Sequence, residues 1–168
     1  MMAMSLVIRK YREDDREQCR ALWRELTEWH REIYLDPTIG REHPEDYFDK
    51  HLAKVGPARL WVAIHDFTVV GLVGLIVGED EAEIEPLIVS KAYRGKGIGK
   101  QLIETVAYEA RRIGVRFLCI KPVARNVKTI KLLYKRGFKT LGHIELFMDL
   151  SNQTWKSGPE IFNCKFSF

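Results

Sequence analysis

Cysteine is scarce in this chain. Cys19, Cys119 and Cys164 are an odd number, and their spacing fits no metal site. That excludes a disulfide-framework fold and the zinc-ribbon classes. Cys19 falls on a helical pattern and Cys119 on a strand pattern, so both are expected as buried free thiols and neither as a nucleophile. No apolar run reaches the ~18 residues of a membrane-spanning helix, which removes a membrane partner from the expectations. The opening MMAMSLVIRKY has no long apolar segment of the signal-peptide kind, so a cytoplasmic protein is expected. Internal repeats and low-complexity segments are absent too. With 168 residues, 46% hydrophobic and 30% charged, the chain suits one globular domain over residues 1–168.

Acidic residues are also missing from one long stretch. From Lys91 to Lys139 every charged residue is a cation except Glu104 and Glu109. A basic half of this kind attracts polyanions, either nucleic acid or a ligand with several phosphates. Just before it stand Glu79, Asp80, Glu81, Glu83 and Glu85; the first three suit a polar hairpin turn.

Periodicity gives the element order. Ser5 to Tyr11 alternates as a first strand. Asp14 or Asp15 can cap a helix running to about Glu32, with Cys19, Leu22, Leu26 and Trp29 on one face. Tyr34 to Pro44 reads as loop, followed by a short helix near Pro44 to Lys54. Strands are expected over Arg59–His65, Val69–Val77 and Ala82–Val89, joined by tight turns. Ile98, Leu102, Val106, Ala110 and Ile113 make a helix stripe ended by Gly114. Val115–Ile120 reads as a strand. A helix capped by Asn126 follows and stops at Gly137. A further strand is expected from Phe138 through Ile144, Leu146 and Met148, and a last one within Trp155–Phe168. The short turns call for antiparallel pairs, and the strand–helix–strand unit after Glu81 calls for a parallel crossover. The expected fold is therefore α/β (α+β), a mixed, mostly antiparallel sheet flanked by helices.

The chemistry is concentrated between Glu81 and Lys100. Arg94, Gly95, Lys96, Gly97, Ile98, Gly99 and Lys100 place three glycines and three cations where a helix begins. Free N–H groups, the positive helix end and close backbone approach make this an anion site for phosphate or pyrophosphate. The P-loop pattern fails, because Gln101 stands where its hydroxyl residue belongs and Arg94 where its first glycine belongs. The dinucleotide fingerprint fails as well: the glycines are one residue too close, and no carboxylate follows about 20 residues on. What remains is R-x-x-G-x-G, on Arg94, Gly97 and Gly99, after a strand ending Leu87-Ile88-Val89.

That pattern resembles the acetyl-CoA-binding signature of the GNAT superfamily of N-acetyltransferases. The resemblance continues at Asn126 to Phe138, where an Asn opens a helix ending Tyr-x-x-Gly-Phe. Thr129 departs from the usual alanine there. The likeness covers roughly residues 5 to 150 and leaves 151–168 without a motif. It implies the GNAT fold, whose central strand and next parallel strand splay apart to admit the pantetheine arm. It implies acetyl-CoA as cosubstrate, no metal, and direct attack by a primary amine: a small amine, an aminoglycoside-like compound, an amino acid or a peptide amine.

By resemblance, Leu87, Ile88 and Val89 line the pantetheine, with the Val89 N–H facing the thioester oxygen. The turn Arg94–Lys100 holds the pyrophosphate, and Asn126 reaches the pantetheine arm. Tyr134 stands at the general-acid position. Glu83, and after it Glu85, are the candidates for the base, being two residues apart on one strand face. Lys121 occupies the position of a glutamate used by some peptide N-terminal acetyltransferases, which weakens that reading. Trp29 and Tyr34, with His30, Tyr47 and Phe48, are the acceptor-pocket candidates. Relatives often dimerise through their late strands, so a homodimer is an expectation of the resemblance. The competing reading is a non-catalytic acyl-CoA-binding or basic nucleic-acid-binding module on the same fold. Nucleic acid is the less expected partner, because both signatures lie inside the basic half.

Overall fold

The computed structural model describes residues 6–168; the expected strand start at Ser5 lies outside them. The chain forms two compact units, residues 1–121 and 122–168.

The first unit is built on a five-stranded sheet whose strands neighbour one another in chain order. Its strands are β1 Leu6–Lys10, β2 Leu60–His65, β3 Thr68–Val77, β4 Glu81–Val89 and β5 Phe117–Cys119. Neighbours from β1 to β4 pair antiparallel, and β4 with β5 parallel. The expected mixed, mostly antiparallel sheet is therefore present. The helices are α1 Arg16–Tyr34, α2 Asp46–Val55 and α3 Ile98–Ile113.

One core lies under α1 and α2. Cys19 and Leu22 from α1 and Phe48 from α2 pack on Tyr11, Leu60, Val62, Leu72 and Ile88. Fully burying such side chains contributes about 1.5–3 kcal/mol each. The opposite sheet face receives α3, whose Leu102, Ile103, Val106 and Ala110 are buried. Gly71 of β3 lets α3 approach, since a Cβ there would meet Leu102 and Ala63. Three expectations are refined or corrected here. Of the two cap candidates, Asp15 takes the N-cap position of α1 but makes no side-chain bond to that helix; its carboxylate accepts from Arg9 at 2.7 and 2.8 Å and, at 2.8 Å, from the Arg12 N–H, which closes the 3-10 turn Glu13–Asp15 leading into α1. Phe48 is fully buried, so it belongs to this core rather than to a pocket. Cys119 is only half-buried, whereas Cys19 is fully buried.

A β-bulge interrupts the β3–β4 pair. Val73 pairs with Leu87 and Leu75 with Ile84, so Gly74 alone opposes Glu85 and Pro86. A Cβ at Gly74 would collide with the Glu85 carbonyl oxygen; glycine is what allows the bulge. The bulge also changes which way β4 side chains point. Paired residues share a face and successive ones alternate. Ile88, paired with Leu72, faces α1. Ile84, paired with Leu75, faces the other way, because Leu72 and Leu75 are three apart on β3.

In the second unit, α4 Val127–Lys135 is followed by a long irregular stretch and the hairpin β6 Ser157–Ile161 with β7 Cys164–Ser167. Phe162 and Asn163 turn this hairpin with φ of 54° and 60°. The single late strand expected within Trp155–Phe168 is thus two strands, and Cys164 is exposed. The strand expected from Phe138 through Met148 is not formed. Its alternating residues have no strand partner among the described residues, and Leu146 and Met148 stand exposed. Alternation marks a strand only where a neighbour completes the hydrogen bonds.

Candidate active site

The glycine turn is built as the sequence predicts. A 3-10 turn over Lys91–Tyr93 follows β4, and Gly97 is the N-cap of α3 with φ of 82°. Gly95 has φ of 78°, a left-handed conformation that favours glycine, and a Cβ at either residue would enter open space. Ile98 turns its side chain into the core at 3% exposure, so only its backbone can serve a ligand. Gly99 and Lys100 lie in the first turn of α3, and Lys100 pairs with Glu104 at 3.6 Å. The Lys96 ammonium sits 4.7 Å from the Tyr93 ring centre.

Two residues, Arg94 and Glu25, pin this turn to the rest of the first unit. Arg94 donates from Nε to the Val89 carbonyl at 3.0 Å, and its guanidinium lies 5.3 Å from the Trp29 ring centre. Glu25 of α1 accepts from the Ser90 hydroxyl at 3.0 Å and from the Lys91 N–H at 2.9 Å. Nothing in the sequence distinguished Glu25 from the other acidic residues of α1. A groove of about 680 Å3 runs between α1 and the turn, lined by Arg24, Glu25, Glu28, Trp29, Ser90 and Arg94 among others. Trp29 is therefore beside the turn. Tyr34 and His30 are half-buried on the last turn of α1, and Tyr47 is exposed on α2.

The edge of β4 carries the second part of the site. The Ser90 N–H donates to the Val70 carbonyl at 2.9 Å. Alternation along an antiparallel pair then turns the N–H and C=O of Ile88 toward β3, and those of Leu87 and Val89 away from it. On that far side β5 pairs only with Glu81, Ala82 and Glu83. On that side, among the described residues, no strand pairs with β4 beyond Glu83. The N–H groups of Leu87 and Val89 therefore point out from a sheet edge, and the Val89 carbonyl is already held by Arg94.

Glu83 and Glu85 share one face of β4, as expected, and it is the face of α1 and α2. Glu83 binds the Lys121 ammonium at 2.6 Å. The Glu85 carboxylate is half-exposed and stands 3.8 Å from Nδ1 of His51 on α2. Sequence reasoning missed His51, because a buried histidine on a short amphipathic helix looks like any core residue.

Burial lowers the pKa of His51, opposed by the Glu85 carboxylate and backbone, while Lys54 lowers it slightly. Burial lowers that of His30 too. Both rings therefore favour the neutral form. As pH falls below the ordinary histidine value near 6.5, the unfolded chain takes up these protons before the folded one. Stability is complete above that value and declines below it. The urea midpoint is expected to be lower at pH 5 than at pH 7.5, with His51→Gln reducing the difference; a midpoint flat over this range would contradict it.

In the second unit, Asn126 is the N-cap of α4, its Oδ1 accepting from the Thr129 N–H at 3.3 Å. Its side-chain NH2 remains a donor group. Tyr134 is 58% exposed near the end of α4, where the Lys139 ammonium lies 5.3 Å from its ring centre. The packed core position of an ordinary helix tyrosine is taken instead by Leu133.

Residues 23–138 match the family model described as the acetyltransferase (GNAT) family. The chain belongs to that family. Among curated proteins, streptothricin acetyltransferase of Escherichia coli is 37% identical over 87 residues, which are 50% of this chain and 44% of that protein. N-acetyltransferase 8 of Rattus norvegicus is 33% identical over 101 residues, 56% of this chain and 44% of that protein. The matched segments thus span less than half of these relatives. Among solved structures, an aminoglycoside N-acetyltransferase, AAC(6')-Iy in complex with CoA, superposes with a TM-score of 0.65 at 16% identity, over 88% of this chain and 97% of that one. At that identity the likeness speaks for the fold. Among the described residues no helix is long and apolar enough to cross a membrane.

Proposed function

We propose that this chain transfers an acetyl group from acetyl-CoA to a primary amine by direct attack, working as one 168-residue catalytic domain. The observation that carries this reading is the edge of β4 beyond Glu83, where Leu87 and Val89 turn their N–H groups outward immediately before the glycine turn. An extended pantetheine arm can pair with such an edge as a strand would. The pyrophosphate then meets the Arg94–Lys100 turn, whose open glycines and helix N-terminus suit it. The residues present fit the cosubstrate. The Val89 N–H is assigned to stabilise negative charge on the thioester oxygen, and the Asn126 amide is assigned to the arm.

Amine attack needs a neutral nucleophile, hence a base, and the departing thiolate gains from an acid. Tyr134 is the proposed acid. Glu83 is already committed to Lys121, whereas Glu85 keeps a half-exposed carboxylate on the same face; the reading therefore favours Glu85 as base. Glu85→Gln is expected to lower turnover about 100-fold with acetyl-CoA affinity unchanged. Equal turnover, with Glu83→Gln impaired instead, would reverse the assignment. The acceptor class we propose is a polyamine-like or aminoglycoside-like cation, supported by the half-exposed Glu85 carboxylate and by the name of the streptothricin-acetylating relative.

The test combines calorimetry with acetyl-CoA and free-thiol release against streptothricin, neamine, spermidine, lysine and a lysine peptide. Micromolar binding and thiol release with a cationic amine support the reading. Binding without release on any acceptor favours the acyl-CoA-binding module, and no binding overturns both.

A further inference from the structure

The surroundings of His51 carry one step more, resting on the reading of Glu85 as the acceptor-side base. Its side chain is 4% exposed. It projects from α2, packs 5.3 Å from the Trp23 ring of α1, and brings Nδ1 to 3.8 Å from the Glu85 carboxylate. Its Nε2 is buried with no hydrogen-bond partner among the described residues. A buried polar atom without a partner costs stability, commonly about 1–3 kcal/mol, and a histidine that only filled space would be better replaced by a leucine. The ring also lies at the one point where β4 is irregular. Glu85 opens the bulge opposite Gly74, so its backbone is not fixed by regular pairing with β3. Something outside the ladder must fix the direction of its side chain, and the His51 ring of α2 is a polar group that meets it there.

We propose that His51 is a positioning residue: from α2 its buried ring packs against Glu85 at the β4 bulge and sets the direction of that side chain on the acceptor face. The charged groups acting on the ring are Glu85 from β4 and Lys54 from its own helix, while α1 contributes the uncharged Trp23 ring. A nearby carboxylate favours the protonated ring. Replacing Glu85 by glutamine must therefore make His51 harder to protonate.

The first experiment follows the His51 ring by NMR titration in the full chain and in Glu85→Gln. The midpoint is expected to fall by about one unit in the variant. An unchanged midpoint overturns the proposal, and this measurement needs no change at His51. The second is a double-mutant cycle on thiol release with streptothricin as acceptor. His51→Gln is expected to lower kcat about tenfold, with KM and acetyl-CoA affinity within about twofold, and to lower nothing further in the Glu85→Gln background. Additive losses, or no loss, overturn the positioning role. If Glu85→Gln alone leaves turnover intact, the base assignment beneath it fails instead, and the NMR result still reports whether the two side chains are coupled.

Discussion

Gly97→Leu is expected to abolish measurable acetyl-CoA binding, a loss of at least about 100-fold, or roughly 2.7 kcal/mol. Gly97 is the N-cap of α3 with φ of 82°, and the space its Cβ would enter is open. A side chain there costs backbone strain of about 1–3 kcal/mol and also occupies the position in front of the first helix N–H groups. The two effects can be separated within the same helix. Gly114 is the C-cap of α3, with φ of 89° and equally open surroundings. Gly114→Leu should therefore show a similar fall in urea midpoint with acetyl-CoA affinity retained. Calorimetry on both variants decides the matter. Equal affinity in both would remove the turn from the site, and equal loss in both would mean that strain alone explains the effect.

The second large effect is expected at Gly74. Its hypothetical Cβ falls on the Glu85 carbonyl and on the Leu60 side chain. Gly74→Val must push β3 from β4 or remove the bulge. Overpacking of this kind costs about 1–3 kcal/mol, which for a chain of this size lowers Tm by roughly 3–10 °C. The effect on turnover should exceed the effect on stability, because without the bulge the strand returns to simple alternation and Glu85 loses its present setting. Scanning calorimetry and thiol release on Gly74→Ala, the milder change, provide the check. A variant that unfolds only a few degrees earlier yet turns over normally would show that the bulge is incidental to function.

The first unit was largely legible in the sequence. Strand alternation, the stripe Ile98, Leu102, Val106 and Ala110, and the stop at Gly114 are local signals set by side-chain period and glycine conformation. The Arg94–Lys100 turn was legible for the same reason, since a left-handed glycine before a helix is a property of a few consecutive residues. Asn126 as a cap is a third case, its Oδ1 on the Thr129 N–H. The failures are equally physical. Phe138 to Met148 alternates as a strand would, but nothing pairs with it among the described residues, and pairing is not a property of one segment. Trp155–Phe168 alternates across two strands, and the turn at Phe162–Asn163 carries no glycine to mark it. Phe48 reads as well for a pocket as for a core until α1 is laid over it.

By itself the sequence determined the element order of the first unit, the glycine turn and the choice among phosphate-binding patterns. These depend on neighbours along the chain, whose geometry short-range sterics and hydrogen bonding dictate. The tertiary structure alone decided which way β4 faces on each side of Gly74, that Glu83 is held by Lys121 while Glu85 meets His51, and that the edge beyond Glu83 is left by β5. Each of these depends on the register between strands, or on a helix docking from more than 30 residues away, which the local pattern of residues does not encode.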